Sequence, residues 1–163
     1  MFNIESWKNH IYKKDLLGVL INALVVAIFL GIAMGAFDYL LTKLGVNISF
    51  GLLLLAFFIG FRVRKGYYSY HPLYPLLAIL FLLFGVFIEY LTTYVFLFGT
   101  ITSIPTILSS LNFYYTTLLY PVYAIVSCTK SFDGFLLLNG IITLIIYILD
   151  IIFCFKLSGG RIK

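Results

Sequence analysis

Three carboxylates interrupt the long apolar runs of this chain: Asp38, Glu89 and Asp150. A charged carboxylate is costly in hydrocarbon, so an intramembrane acid is neutral, paired or put to use. The use open to this set is uptake of a proton or a small cation, with Asp38 and Glu89 as the candidate pair. A plainer reading makes Asp38 interfacial, pairs Asp150 with a basic loop residue, and leaves Glu89 protonated or hydrogen-bonded to a tyrosine or threonine. The pattern favours the plainer reading, because acids near helix ends commonly reach water.

Little else in the chain could carry chemistry. His10 and His71 stand singly, with no ligating residue four positions away, so no metal site is expected. Neither a Gly-x-Ser-x-Gly elbow, a P-loop nor a Rossmann fingerprint occurs. No cofactor is implied, and no enzymatic activity is expected.

The elements that position the acids must be membrane helices. Of 163 residues, 63% are hydrophobic and 10% are charged, whereas soluble domains carry roughly 25% charged residues. A β-barrel would show alternating segments of about ten residues, and this chain has continuous apolar runs instead. The expected fold is therefore all-α and integral to the membrane, a single polytopic domain over residues 1–163.

Four transmembrane helices are expected at 16–41, 46–63, 75–98 and 135–155. Residues 1–15, with Trp7, Lys8, Tyr12, Lys13 and Lys14, read as a cytoplasmic amphipathic segment at the membrane surface. The triplet Ala33-Met34-Gly35 resembles a signal-peptide cleavage site, but the apolar run before it is too long, so an uncleaved first span is expected. Over 103–120, Thr106, Ser109, Ser110, Thr116 and Thr117 share one helical face. Ile107, Leu108, Leu111, Tyr115, Leu118 and Leu119 share the other. That pattern predicts one amphipathic or re-entrant helix, with a fifth span as the alternative. Cys128 and Cys154 bracket the last run on the order of 30 Å apart, too far for a disulfide.

Ala23, Ala27, Gly31 and Gly35 recur every four residues in the first span. On a helix they form one ridge of small side chains, where another backbone can come close. Ala56 and Gly60 make a similar pair in the second span, and the linker 42–47 is short. The two spans are expected to form a hairpin with these faces together. A faint internal echo links Gly35-Ala36-Phe37-Asp38-Tyr39-Leu40 to Gly85-Val86-Phe87-Ile88-Glu89-Tyr90-Leu91, with one insertion.

The net charge of +5 belongs to short basic clusters beside the apolar runs. Arg62, Arg64 and Lys65 are the clearest cluster, read as topology signals and contacts for anionic lipid headgroups. No nucleic-acid partner is expected. With four spans, Lys8, Lys13, Lys14, Arg62, Arg64, Lys65, Lys156, Arg161 and Lys163 share one side, and Lys43 and Lys130 fall opposite. By the positive-inside rule the N and C termini are then cytoplasmic, in a multi-pass protein of the cell membrane. A fifth span would move the basic tail outside and weaken that bias.

The layout from Phe37 through Ile79 resembles many small bacterial multi-span membrane proteins of uncharacterised function. It is carried by a small-residue-rich first span, Gly51 and Gly60 in a short second span, the loop Arg62-Val63-Arg64-Lys65-Gly66, and a third span opening at Tyr74-Pro75-Leu76-Leu77-Ala78. The resemblance implies architecture and no activity. Two functions are consistent with these residues. The favoured one is a structural or accessory membrane protein, whose partners are the lipid bilayer and another membrane protein or a second copy. The other is a small permease or lipid/ion-handling protein using Asp38 and Glu89.

Overall fold

The computed structural model describes residues 11–44, 51–99, 104–110, 113–114, 126 and 134–160. Its elements are α1 (Lys13–Lys43), α2 (Gly51–Lys65), α3 (Leu73–Phe98), α4 (Ile104–Ser109) and α5 (Gly134–Leu157). Among the described residues there is no strand. Lys13–Lys43, Leu73–Phe98 and Gly140–Leu157 are each long and apolar enough to cross a membrane. The chain is an all-helical membrane protein. Residues 1–10, 45–50, Cys128, Lys130, Arg161 and Lys163 lie outside the described residues.

Helix ends follow local chemistry. At 31 residues and 1.5 Å per residue, α1 is about 46 Å long, well beyond the ~30 Å hydrocarbon layer. It therefore extends past the expected 16–41 into the headgroup region at both ends, where Lys13 and Lys43 are at home. The Lys43 ammonium lies 5.6 Å from the centre of the Tyr39 ring. Helix α3 starts just ahead of Pro75, which needs no N–H partner in a first turn. It stops at Gly99, whose φ of 75° suits a residue without Cβ, and whose N–H donates to the Val95 carbonyl at 2.9 Å.

The tightest seam joins α1 to α3. Gly31 packs on the Gly85 carbonyl and the Ile88 side chain, and Gly35 on the Glu89 carbonyl and Thr92. Thr93 Oγ1 donates to both the Gly35 carbonyl, at 3.1 Å, and the Glu89 carbonyl, at 3.0 Å. Residue numbers rise together along this contact, so the two helices run parallel. The ridge glycines were expected to meet Ala56 and Gly60; they meet α3 instead. Gly60 faces α5, against the Cys154 carbonyl and the Leu157 Cβ. The short linker does make α1 and α2 neighbours. It sets adjacency in the chain, however, and not which face comes closest. Gly85 leaves room beside Ala27 for Leu55 and Ile59 of α2 to wedge in, so α2 meets the α1–α3 pair through bulky side chains.

One end of the bundle gathers the start of α1, the end of α2, the start of α3 and the end of α5. Tyr67 ties it together, with its ring 4.8 Å from that of Tyr74 and its hydroxyl donating to the Ser158 carbonyl at 2.7 Å. Lys13, Lys14, Arg62, Arg64, Lys65 and Lys156 belong to this end, and Lys43 to the other.

The described part of the expected helix over 103–120 is shorter than a full amphipathic helix. α4 has six residues and gives way at Ser110. Ser109 Oγ donates back to the Thr106 carbonyl at 2.9 Å, the kind of local bond that competes with helix continuation. Of the expected apolar face, Ile107 is buried and Leu108 half-buried, and Leu111, Tyr115, Leu118 and Leu119 lie outside the described residues. Phe113, which that face did not include, is buried with its ring 5.2 Å from Tyr94 and 5.8 Å from Phe87 of α3.

Candidate functional site: an acid–phenol seam inside the bundle

Glu89 is only 3% exposed. The ridge explains why: with Gly35 pressed on its carbonyl, α3 is held close to α1, and the side chain turns into the bundle. Its carboxylate lies against Gly51, the first residue of α2, where any Cβ would overlap it. A first helical turn offers unpaired N–H groups and the positive end of the dipole, a favourable place for a carboxylate. Asp38, three residues past Gly35 on α1, is half-buried with one carboxylate oxygen fully enclosed.

Two tyrosines connect the acids. The Tyr90 hydroxyl stands close enough to Tyr147, Glu89 and Asp38 to interact electrostatically with all three. The Tyr147 phenol lies in turn in the electrostatic neighbourhood of Tyr90, Glu89 and Asp150, and its buried hydroxyl makes no hydrogen bond among the described residues. Asp150 follows Tyr147 by three residues on α5, so both project from one face of that helix. Asp150 is 5% exposed, and its Oδ2 has no hydrogen-bond partner among the described residues.

Glu89 and Asp38 both lie in the electrostatic neighbourhood of the Tyr90 phenol, from neighbouring helices α3 and α1. The structure corrects the expectation for Asp150. Asp150 is buried and makes no ion pair among the described residues. The reason is helical phase. Tyr147, Asp150, Cys154 and Ser158 form the inward stripe of α5, and Lys156 points out. Tyr90 and Tyr147 are the residues that sequence reasoning missed. The available signal was tyrosine in mid-span, away from the interfacial belts where it is commonest. Among the described residues, no three His, Cys, Asp or Glu side chains gather closely enough to hold a metal ion. The acids are strung along the phenols, not clustered around a point.

A second polar assembly, also missed, closes the basic end. Asp15 is buried, and its Oδ2 accepts the N–H groups of Ser69 at 3.0 Å and Tyr68 at 3.3 Å. Arg64 donates to the Tyr67 hydroxyl at 2.8 Å and lies over its ring. Burial pushes the Tyr67 phenol above its ordinary value, and Arg64 opposes part of that rise. The folded state then holds this proton more tightly than the unfolded chain does. Its contribution is complete below about pH 10 and is lost as pH rises through the folded value. Tyr67→Phe is expected to cost about 1.5 kcal/mol at neutral pH, through the lost bonds to Ser158 and Arg64. The melting-temperature gap between the two proteins in detergent should narrow from pH 8 to pH 11. A constant gap would show that Tyr67 does not ionise differently on folding.

Compared with known protein families, curated proteins and solved structures, the chain matches none.

Proposed function

We propose that this is a small permease or ion-handling membrane protein that takes up protons, or small monovalent cations, along the seam Asp38–Glu89–Tyr90–Tyr147–Asp150. One observation carries the reading: Glu89 and Asp150 are buried and one oxygen of Asp38 is enclosed, on three different helices of one bundle, with the Tyr90 and Tyr147 phenols in their neighbourhood. Acids strung between hydroxyls suit a proton passed from group to group better than a multidentate metal site. The accessory-protein reading drew its support from the small-residue ridge, and that ridge is occupied within the molecule.

The architecture that goes with this function has four spans, α2 being the fourth, in the cell membrane with both termini cytoplasmic. Its support is the meeting of the start of α1 and the end of α5 at the end rich in lysine and arginine. A fifth crossing between α3 and α5 would turn α5 over.

The test is proton flux into proteoliposomes carrying a trapped pH-sensitive dye. Wild-type protein is expected to dissipate an imposed pH gradient faster than empty vesicles do. Glu89→Gln and Asp150→Asn should each slow it at least tenfold, and Tyr90→Phe by about tenfold, in the range lost with a positioned proton carrier. Equal rates for wild type, Glu89→Gln and Asp150→Asn would end the proposal.

A further inference from the structure

Between α1 and α2 lies an open apolar cleft of about 350 Å³, lined by Val25, Phe29 and Ala33 on one side and Phe58 and Arg62 on the other. The contact of Gly18 with Gly66 sets the register of this antiparallel pair. Counting from it, Arg62 stands at the mouth of the cleft nearest the basic end, one turn beyond Phe58. The wall from Val25 to Ala33 runs about 12 Å toward the membrane centre, most of the depth of one ~15 Å leaflet.

The three basic residues in the last turn of α2 differ in what they already hold. Arg64 donates to the Tyr67 hydroxyl, and the Lys65 ammonium rests 4.4 Å from the centre of the Phe61 ring. Arg62 is exposed and makes no hydrogen bond or ion pair among the described residues. A guanidinium at the lip of an apolar membrane groove reaches outward to the headgroup layer. There its forked donors match phosphate oxygens. The lysines Lys13, Lys14 and Lys65 share this end, which selects a headgroup of net negative charge. We propose that the cleft binds one anionic glycerophospholipid, its phosphodiester on Arg62 and one acyl chain along Val25, Phe29 and Ala33.

The full chain, reconstituted in phosphatidylcholine vesicles with a minor share of phosphatidylglycerol and then extracted into mild detergent, can be weighed with its retained lipid by native mass spectrometry. Wild type should retain phosphatidylglycerol over phosphatidylcholine. Arg62→Gln should lower that retention about fivefold, the effect of one basic residue at the headgroup layer. Lys65→Gln removes the same charge from a residue that does not line the cleft and should lower retention clearly less than Arg62→Gln does. Ala33→Phe fills the cleft without altering charge and should lose as much lipid as Arg62→Gln. Equal losses for Lys65→Gln and Arg62→Gln would reduce the effect to general attraction and overturn the site. Full retention by Ala33→Phe, or release of the lipid by soluble glycerol phosphate, would overturn the role of the cleft.

Discussion

Gly35→Leu should separate α1 from α3 and lower stability by roughly 3 kcal/mol, at the upper end of what overpacking costs. A Cβ at position 35 meets the Glu89 carbonyl and the Thr92 Cβ. The first is backbone and cannot rotate aside. The Thr93 hydroxyl, shared between the Gly35 and Glu89 carbonyls, loses one acceptor as the helices part. In membranes, helix association depends on such close packing, because lipid tails are as apolar as the helices themselves. Ala33→Leu is the matched control: the site is exposed, and the change should stay within about 0.5 kcal/mol. Thermal unfolding in lipid-free detergent, followed by size exclusion, compares the two. Gly35→Leu melting with Ala33→Leu would show that the ridge does not hold this seam.

The ridge was legible in the sequence because small residues four apart have few other uses in an apolar run. Its partner was not. Choosing between α2 and α3 requires knowing which helix offers a bare backbone, and Gly85 does so with no small residue four positions away on either side. The acids were legible for a related reason: Asp38, Glu89 and Asp150 are expensive where they stand, so each needs an explanation. Tyr90 and Tyr147 carry no such expense. Among 13 tyrosines, many suited to the membrane boundary, only their mid-span positions set these two apart. Asp15 was hidden by its neighbours, since Lys13 and Lys14 make it look like part of a solvated charge run. Only the approach of the 66–70 segment turns it into a buried acceptor.

Packing and chemistry converge on Glu89. Gly35 sets the distance of its backbone from α1, and Gly51 leaves the space its carboxylate fills. The glycines that look like scaffold therefore also shape the seam. The Gly35→Leu protein should accordingly lose proton flux in the vesicles even under conditions where it remains folded.

The second large effect is expected at the opposite end of α1. Gly18 and Gly66 meet backbone to backbone: a Cβ on Gly18 would press on the Gly66 carbonyl, and one on Gly66 would sit 3.0 Å from Val19 Cα. Gly18→Leu must push the segment after α2 away from α1. Asp15, one turn earlier on the same face, then loses the N–H groups of Tyr68 and Ser69. Overpacking costs about 1–3 kcal/mol, and loss of hydrogen bonds to a charged group about 1.5–3 kcal/mol. A combined loss of roughly 4 kcal/mol is expected from these two terms. Asp15→Asn keeps an acceptor oxygen and gives up only the charge, so it should cost about 1 kcal/mol. Hydrogen exchange read by mass spectrometry separates this seam from the one at Gly35. Gly18→Leu should speed exchange at the Tyr68 and Ser69 amides, and Gly35→Leu should leave them protected while α1 and α3 remain helical. Unchanged protection of those two amides in Gly18→Leu would mean that the glycine contact does not position them, and Asp15 would hold the segment unaided.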